Sequence, residues 1–277
     1  MSQNPLSQYF RQPKIYVTLP SMGAYNPPDT LSAGFENIPV YGMTGMDEII
    51  VKTPDALFSG ESNIAVIESC CPSIKNARNL SSLDINVLFA AIRIATFGDT
   101  LSASHTCPEC GTESHYNIDL VKIIDFYRDK RYNGRKVLGK LVIKTQPLLF
   151  HQLLSLGVSN FELQQKLSHV QSIENEEEKQ RHINQIWREF GVAQNRFYIM
   201  SIESIQTPDE LVTERGFIEE WVSNCDSDTI EALKQHLSAM KEDWEIPGFD
   251  VVCTNQECKK ESKLKLDLNY SSFFSRA

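Results

Sequence analysis

The sequence predicts an α+β protein: a mostly helical domain inserted between the two halves of a small β element, with a β/helical segment ahead of both. Three observations carry that prediction. Two cysteine-bearing segments, "SHTCPECGTESHYNIDL" at 104–120 and "FDVVCTNQECKKESKLKLDL" at 249–268, superpose at an offset of 148 residues. In each, the residues after the second cysteine alternate between apolar and polar, the period of a half-buried strand. Between them, apolar side chains recur at helical spacing for most of the intervening chain.

Taken in order, residues 1–12 read as a loose polar arm. The stretch "KIYVTLP" (14–20) alternates as a strand and runs into the turn-rich "PSMGAYNPPD". Residues 44–97 are expected to be mostly helical. Thr53 can cap a short helix with Pro54 at its first position and Gly60 at its end. Ser81 to Asp84 resemble a capping box, followed by an apolar stripe of Ile85, Leu88, Phe89, Ile92 and Ala95 that stops at Gly98. The stripe is expected to be helix core. The first cysteine segment then occupies 104–120.

Beyond it, "RKVLGKLVIKTQP" reads as one or two strands. A second capping box is expected at Ser159–Glu162, with Leu163, Leu167 and Val170 on one face. The run "ENEEEKQR" (174–181) is a solvated helical face or a bend, and Ile183, Ile186, Trp187 and Phe190 resume the stripe. Two further stripes follow, Phe217 to Val222 and Ile230 to Trp244, before Pro247-Gly248 leads into the strand carrying Cys253. The expected domains are therefore an arm at 1–12, a strand and helical segment at 13–103, the first half of the β element at 104–120, a strand plus helical insertion at 121–248, and the second half with a tail at 249–277.

Laid together, the two cysteine segments align Cys110 with Cys258, Glu113 with Glu261 and Ser114 with Ser262. Two such strand–knuckle–strand units facing each other make a zinc ribbon. Cys107, Cys110, Cys253 and Cys258 would surround one structural Zn²⁺ and leave no coordination position open for water or substrate. Gly111 suits the left-handed turn after the second cysteine. Lys259 stands at the matching place in the second half, so that turn, with its wider C-x4-C spacing, is expected to differ. A zinc here would staple the start and finish of the long insertion.

Other readings of the same residues are weaker. A thioredoxin-like use of Cys107-Pro-Glu-Cys110 needs a helix after the pair, and a strand is expected. Catalytic zinc needs an open position, which four thiolates deny. His105 and His115 flank the first knuckle but suit a strand surface. Cys70 and Cys71 suit an apolar interior, and Cys225 has no partner in the pattern.

Length and composition set bounds on function. The 277 residues are enough for a proper core, and 41% hydrophobic with 23% charged residues is ordinary for a soluble globular protein. Seven cysteines, an odd number, with no apolar stretch behind the N-terminal basic residues, point to reduced thiols and a protein made in the cytoplasm. No apolar run is long enough for a membrane span. The net charge of −9 argues against broad nucleic-acid contact, despite the local basic stretch at 130–140. A nucleic-acid-binding zinc ribbon remains the alternative reading, carried by Lys259, Lys260, Lys263 and Lys265. The sequence has no phosphate-binding loop, dinucleotide fingerprint, zincin motif or nucleophile elbow, and no catalytic residues are assigned.

Several ordered motifs carry a family resemblance: "KIYVTLPSMG" (14–23), "MTGMDEI" (43–49), "TPDALFSGE" (53–61), "ESCCPSIKNA" (68–77), "LDINVLFAAIRIATFGD" (83–99) and "HTCPECG" (105–111). Together they resemble the baseplate hub and hub-assembly proteins of T-even-like contractile-tailed bacteriophages. The resemblance covers the first 120 residues well and the helical insertion loosely. It implies a non-enzymatic role in building or forming the baseplate, with other phage baseplate and tail proteins as partners. It also implies residence in the host cytoplasm during assembly, and it leaves two fates open, a hub subunit kept in the virion tail baseplate or an assembly factor absent from the finished particle.

Overall fold

A computed structural model describes residues 4–53, 60–171, 173, 175–266 and 273–274. The fold is mixed α and β, with eight α-helices and small antiparallel sheets among the described residues. The chain divides into two compact units, Met1–Arg131 with Glu245–Ala277, and Tyr132–Trp244.

In the first unit, β1 (Pro13–Val17) pairs antiparallel with β2 (Ile38–Tyr41), in the register Ile15↔Val40 and Val17↔Ile38. Helix α1 (Gly45–Val51) opens with a reciprocal cap. The Asp47 N–H donates to Thr44 Oγ1 at 3.2 Å, and the Thr44 N–H donates back to Asp47 Oδ2 at 2.7 Å. Helix α2 (Glu61–Cys70) begins at Gly60, whose φ of 73° serves as an N-cap. The short helix expected between Thr53 and Gly60 falls on residues outside those described.

Helix α3 (Ser82–Phe97) is the spine of this unit. Every residue of the expected stripe from Ile85 to Ala95 is buried, and so are Val87, Ala90 and Ala91 between them. The helix is apolar nearly all round because it is surrounded. Gly98 ends it at φ 97°, with its N–H on the Ile94 carbonyl at 3.0 Å. The end of β2 packs hard on this helix, since a Cβ on Gly42 would stand 2.8 Å from the Ala95 carbonyl oxygen.

The capping box expected at Ser81–Asp84 does not form. The Ser81 hydroxyl accepts from the Leu83 N–H, while the Asp84 carboxylate is taken by the turn-rich segment. Asp84 accepts from the Ser21 N–H at 2.8 Å, the Ser21 hydroxyl at 2.7 Å and the Asn26 amide at 3.2 Å. Asn26 in turn accepts from the Ser81 N–H at 2.7 Å. One buried carboxylate thus organises the loop that the sequence marks only as turns.

Burial pushes the Asp84 carboxyl from 3.8 up to about 6, against the pull of the Ser21 and Asn26 hydrogen bonds. A folded-state pKa above the unfolded one means the folded state holds more protons through that window. Its stabilising contribution is complete below about pH 4 and is lost as the pH rises through about 6. Relative to Asp84→Asn, the wild type is expected to lose urea resistance as the pH rises between those limits. A difference that stayed constant across the window would assign the effect elsewhere.

The N-terminal arm, read from sequence as loose, is pinned at its base. After a 3-10 turn at Pro5–Tyr9, Arg11 donates to the Gly42 carbonyl at 2.8 Å and to the Ser69 carbonyl at 2.6 Å. Tyr9 and Phe10 stay exposed beside that anchor. The unit continues with β3 (Thr100–Thr106), β4 (Glu113–Asp119) and α4 (Val121–Arg128), and β9 (Phe249–Val252) with β10 (Glu261–Leu264) complete it.

The second unit is a four-stranded antiparallel sheet in the order β5-β6-β7-β8 with helices packed on it. Its strands are β5 (Arg135–Leu138), β6 (Leu141–Thr145), β7 (Ile202–Gln206) and β8 (Leu211–Val212). Its helices are α5 (Phe150–Val170), α6 (Glu176–Ser201), α7 (Arg215–Asn224) and α8 (Ser227–Trp244). Ile143 of β6 and Ile202 and Ile205 of β7 are buried against Tyr198, Ile218, Val222 and Leu233 of the helices. The pair β7–β8 was not expected from the sequence. The second expected capping box is also absent: Ser159–Glu162 lie inside α5, which begins nine residues earlier at Phe150, where Gln152 Oε1 accepts from the Leu149 N–H at 2.9 Å.

Candidate metal centre

Two hairpins carry the four cysteines. β3 and β4 stay in register from Thr100↔Asp119 to Thr106↔Glu113, and β9 with β10 from Phe249↔Leu264 to Val252↔Glu261. Each turn is closed by the same bond. The Cys107 N–H donates to the Thr112 carbonyl and the Cys253 N–H to the Lys260 carbonyl, both at 2.9 Å. The second turn is two residues longer, and Asn255 takes up the excess by accepting from the Glu257 N–H at 3.0 Å.

The sequence reading expected the second turn to differ where Lys259 replaces glycine, and it does differ in length, but not in backbone hand at that residue. Gly111 has φ 70° and Lys259 φ 46°, so both chains turn left-handed after the second cysteine. The Gly111 N–H reaches the Cys107 carbonyl at 2.9 Å, and the Lys259 N–H reaches the Asn255 carbonyl at 3.1 Å. A side chain with a Cβ costs roughly 1–2 kcal/mol in that conformation. Lys259 tolerates the cost because its N–H and those of its neighbours are held by the turn.

The hairpins pack through a small apolar cluster of Ile118, Val251 and Leu264, flanked by Tyr116, Phe249 and Leu266. Polar contacts stitch the same faces. His105 Nε2 and Ser262 Oγ are 2.9 Å apart, Ser114 and Thr254 share a 2.6 Å hydroxyl contact, and the Tyr116 hydroxyl donates to the Val252 carbonyl at 2.8 Å. His105 is therefore engaged with the opposite hairpin, and neither it nor His115 joins the cysteines.

This packing brings Cys107, Cys110, Cys253 and Cys258 together, with all four sulfurs within 4.8 Å of one another. Across the hairpins, Cys107 Sγ lies 3.8 Å from Cys258 Sγ, and Cys110 Sγ 3.6 Å from Cys253 Sγ. A disulfide would need about 2.05 Å, so these are separate thiols. Cys107 and Cys253 are buried, Cys258 is half-buried and Cys110 is exposed.

The turns and the neighbouring sulfurs push the thiols in opposite directions. Hydrogen bonding to Thr112, by side chain and backbone, holds the Cys110 thiol down to about 6. The Asn255 backbone pulls Cys253 the same way, but lost hydration and the neighbouring Cys110 and Cys107 sulfurs push it up to about 12. Four thiolates packed this closely repel one another until a cation joins them. The cluster has the donor set and the spacing to hold a metal ion.

Two of the three remaining cysteines, Cys70 and Cys71, are of another kind. Burial pushes Cys70 up to about 12 and raises Cys71 as well, so both are protonated, unreactive packing groups. Sequence reasoning picked out the four clustered cysteines but not Thr112 and Asn255, the side chains that shape the two turns. A lone threonine and a lone asparagine carry no spacing signal of their own.

A comparison with protein families matched one described as "T4 bacteriophage base plate protein" over residues 49–275, more than four-fifths of the chain. Searches of curated proteins and of solved structures gave no match. The matched range takes in both cysteine hairpins and the whole second unit, reaching well past the first 120 residues in which the resemblance was strongest. From its residue 49 onward, then, the chain reads as a member of one family through both units, and it belongs to the T4 bacteriophage base plate proteins.

Proposed function

We propose that this chain is a non-enzymatic structural or assembly component of the phage baseplate hub whose Cys107, Cys110, Cys253 and Cys258 hold a structural Zn²⁺. The observation that carries the metal half of the reading is the closed set of four sulfurs. The edges of a Zn–S tetrahedron with 2.3 Å bonds measure about 3.8 Å, and the two cross-hairpin separations are 3.8 and 3.6 Å. On this reading the two hairpins are the halves of a zinc ribbon. Its metal joins strands about 140 residues apart in sequence, and it does no chemistry.

Family membership supports the baseplate half of the reading. Other baseplate and tail proteins are the partners, met in the host cytoplasm during assembly and in the virion tail. Tyr9 and Phe10 on the pinned arm, 77% and 57% exposed, are aromatic anchors of the kind that dominate protein interfaces.

Quantitative mass spectrometry of mature virions tests the role, counting this chain against a tail protein of known copy number. A fixed whole-number ratio is expected of a baseplate subunit. Presence in assembly intermediates and absence from virions would make it an assembly factor. Absence from both would overturn the proposal.

A further inference from the structure

Helices α5 and α6 form an antiparallel hairpin joined through Gln171–Asn175, and its two flanks differ in chemistry. The hairpin's own core is small, with Leu163, Val170 and Ile186 buried and Ile173 and Ile183 packed against them. On one flank Glu162 and Lys166 of α5 and Glu189 and Arg196 of α6 line an open groove of about 470 Å³. The Lys166–Glu189 ion pair crosses it at 2.6 Å.

At about 100° per residue, the opposite flank of the hairpin presents Leu153 and Leu167 of α5 beside Ile183, Trp187 and Phe190 of α6. None of these five lines the charged groove. Trp187 is 62% exposed, Phe190 43% and Leu167 40%. The Trp187 and Phe190 rings meet edge to face at 5.9 Å, so they stand as one aromatic ridge. Around the ridge lie the amides Gln164, Gln180 and Gln194.

We propose that this aromatic flank is a two-fold interface on which a second copy of the chain docks, completing a four-helix arrangement from two hairpins. The area fits that occupant. Exposed apolar side chain on the ridge and its neighbours amounts to roughly 400 Å², and a standard interface takes about 800 Å² per partner, a little over half of it apolar. The charge fits as well. A chain of net charge −9 repels its own copy, and the approach is least opposed across this amide-fringed flank, where Glu176 and Lys179 near its end pair with each other at 3.4 Å. Trp187 sits near the middle of the 26-residue α6, so a two-fold axis passing there lays the two copies of α6 antiparallel along nearly their whole length.

Sedimentation equilibrium of the full chain across about 1 to 100 µM tests this. The expected mass rises from 31.5 kDa toward twice that value. Trp187→Glu is expected to weaken the dimer by at least about tenfold, with Phe190→Gln as a second disrupting variant. Both should keep the wild-type circular dichroism spectrum and melting temperature. Arg188→Glu, on the exposed outer side of the same helix and off the aromatic ridge, is expected to dimerise like the wild type. A wild type that stays monomeric at the highest concentration overturns the proposal, even if the flank binds another tail protein. So does a Trp187→Glu variant that dimerises normally, or an Arg188→Glu variant that is equally impaired.

Discussion

Cys253→Ser is expected, on the proposed zinc site, to lower the melting temperature by about 10 °C or more and to reduce bound zinc from one ion per chain to nearly none. The size follows from what the metal would replace. Among the described residues the two hairpins share a core of three buried residues, Ile118, Val251 and Leu264, too little to hold them together alone. Zinc binding to four thiolates provides several kcal/mol of folding free energy in small domains. If about 4 kcal/mol of that is lost, a domain of 150–250 residues should melt roughly 8–16 °C lower. Serine keeps the size of Cys253 but not its affinity for zinc, so packing changes little. Chelation of the wild type should reproduce the variant, and added zinc should reverse chelation but not the substitution. Elemental analysis together with calorimetry checks both expectations. A variant that lost its zinc and melted like the wild type would remove the structural role. Wild-type protein without zinc would remove the site.

What the sequence made legible follows from which signals are local. Cys107 and Cys110 are near neighbours in the chain, and their counterparts repeat the same flanking pattern, so the cluster could be read without coordinates. The stripe of α3 was legible because sixteen residues gave the helical period room to repeat. Strand β7 was left unassigned. Ile199, Ile202 and Ile205 keep a spacing of three, which suits a helix as well as a strand, although the chain leaves α6 at Ile202. The buried residues of β7 are held by the sheet register with β6, a non-local fact. Ser159-Asn160 looked like a helix start because both residues favour caps. They are carried through the interior of α5, where Leu163 packs with Ile186 of α6. Trp187 and Phe190 were read only as part of a helical stripe, because periodicity cannot tell an apolar face that packs inward from one that faces out. Asp84 was misread for a related reason: its position fits a cap, but its partner, Ser21, is 63 residues away.

Phe274→Ala is the second substitution expected to have a large effect, about 3–5 kcal/mol, the usual cost of removing a fully buried phenylalanine ring. Phe273 and Phe274 are 3% and 2% exposed, although the hairpin they follow lies mostly at the surface. The Phe274 ring meets Phe89 of α3 edge to face at 5.3 Å and Phe273 at 5.4 Å. Arg93, itself buried in α3, lies between the Phe97 and Phe273 rings at 5.2 and 5.4 Å and donates to the Phe273 carbonyl. Burial lowers the Arg93 pKa, a sign that its charge is poorly hydrated and depends on these neighbours. The pair of phenylalanines therefore fills the core of α3 and also furnishes the surroundings of a buried cation. Phe274→Ala opens a cavity beside Phe89, and Phe273→Ala removes one face of the Arg93 stack while keeping its carbonyl acceptor. Both rings are buried, so Phe273→Ala is expected to cost a similar amount, with a cation–π contact of about 1–2 kcal/mol as part of its loss. Arg93→Met should partly rescue Phe273→Ala, since the cation that loses its ring is then gone. Urea unfolding of the single and double variants measures the coupling. Strictly additive losses would mean that Arg93 and Phe273 are neighbours without being partners, and a Phe274→Ala variant as stable as the wild type would mean that α3 does not need the ring.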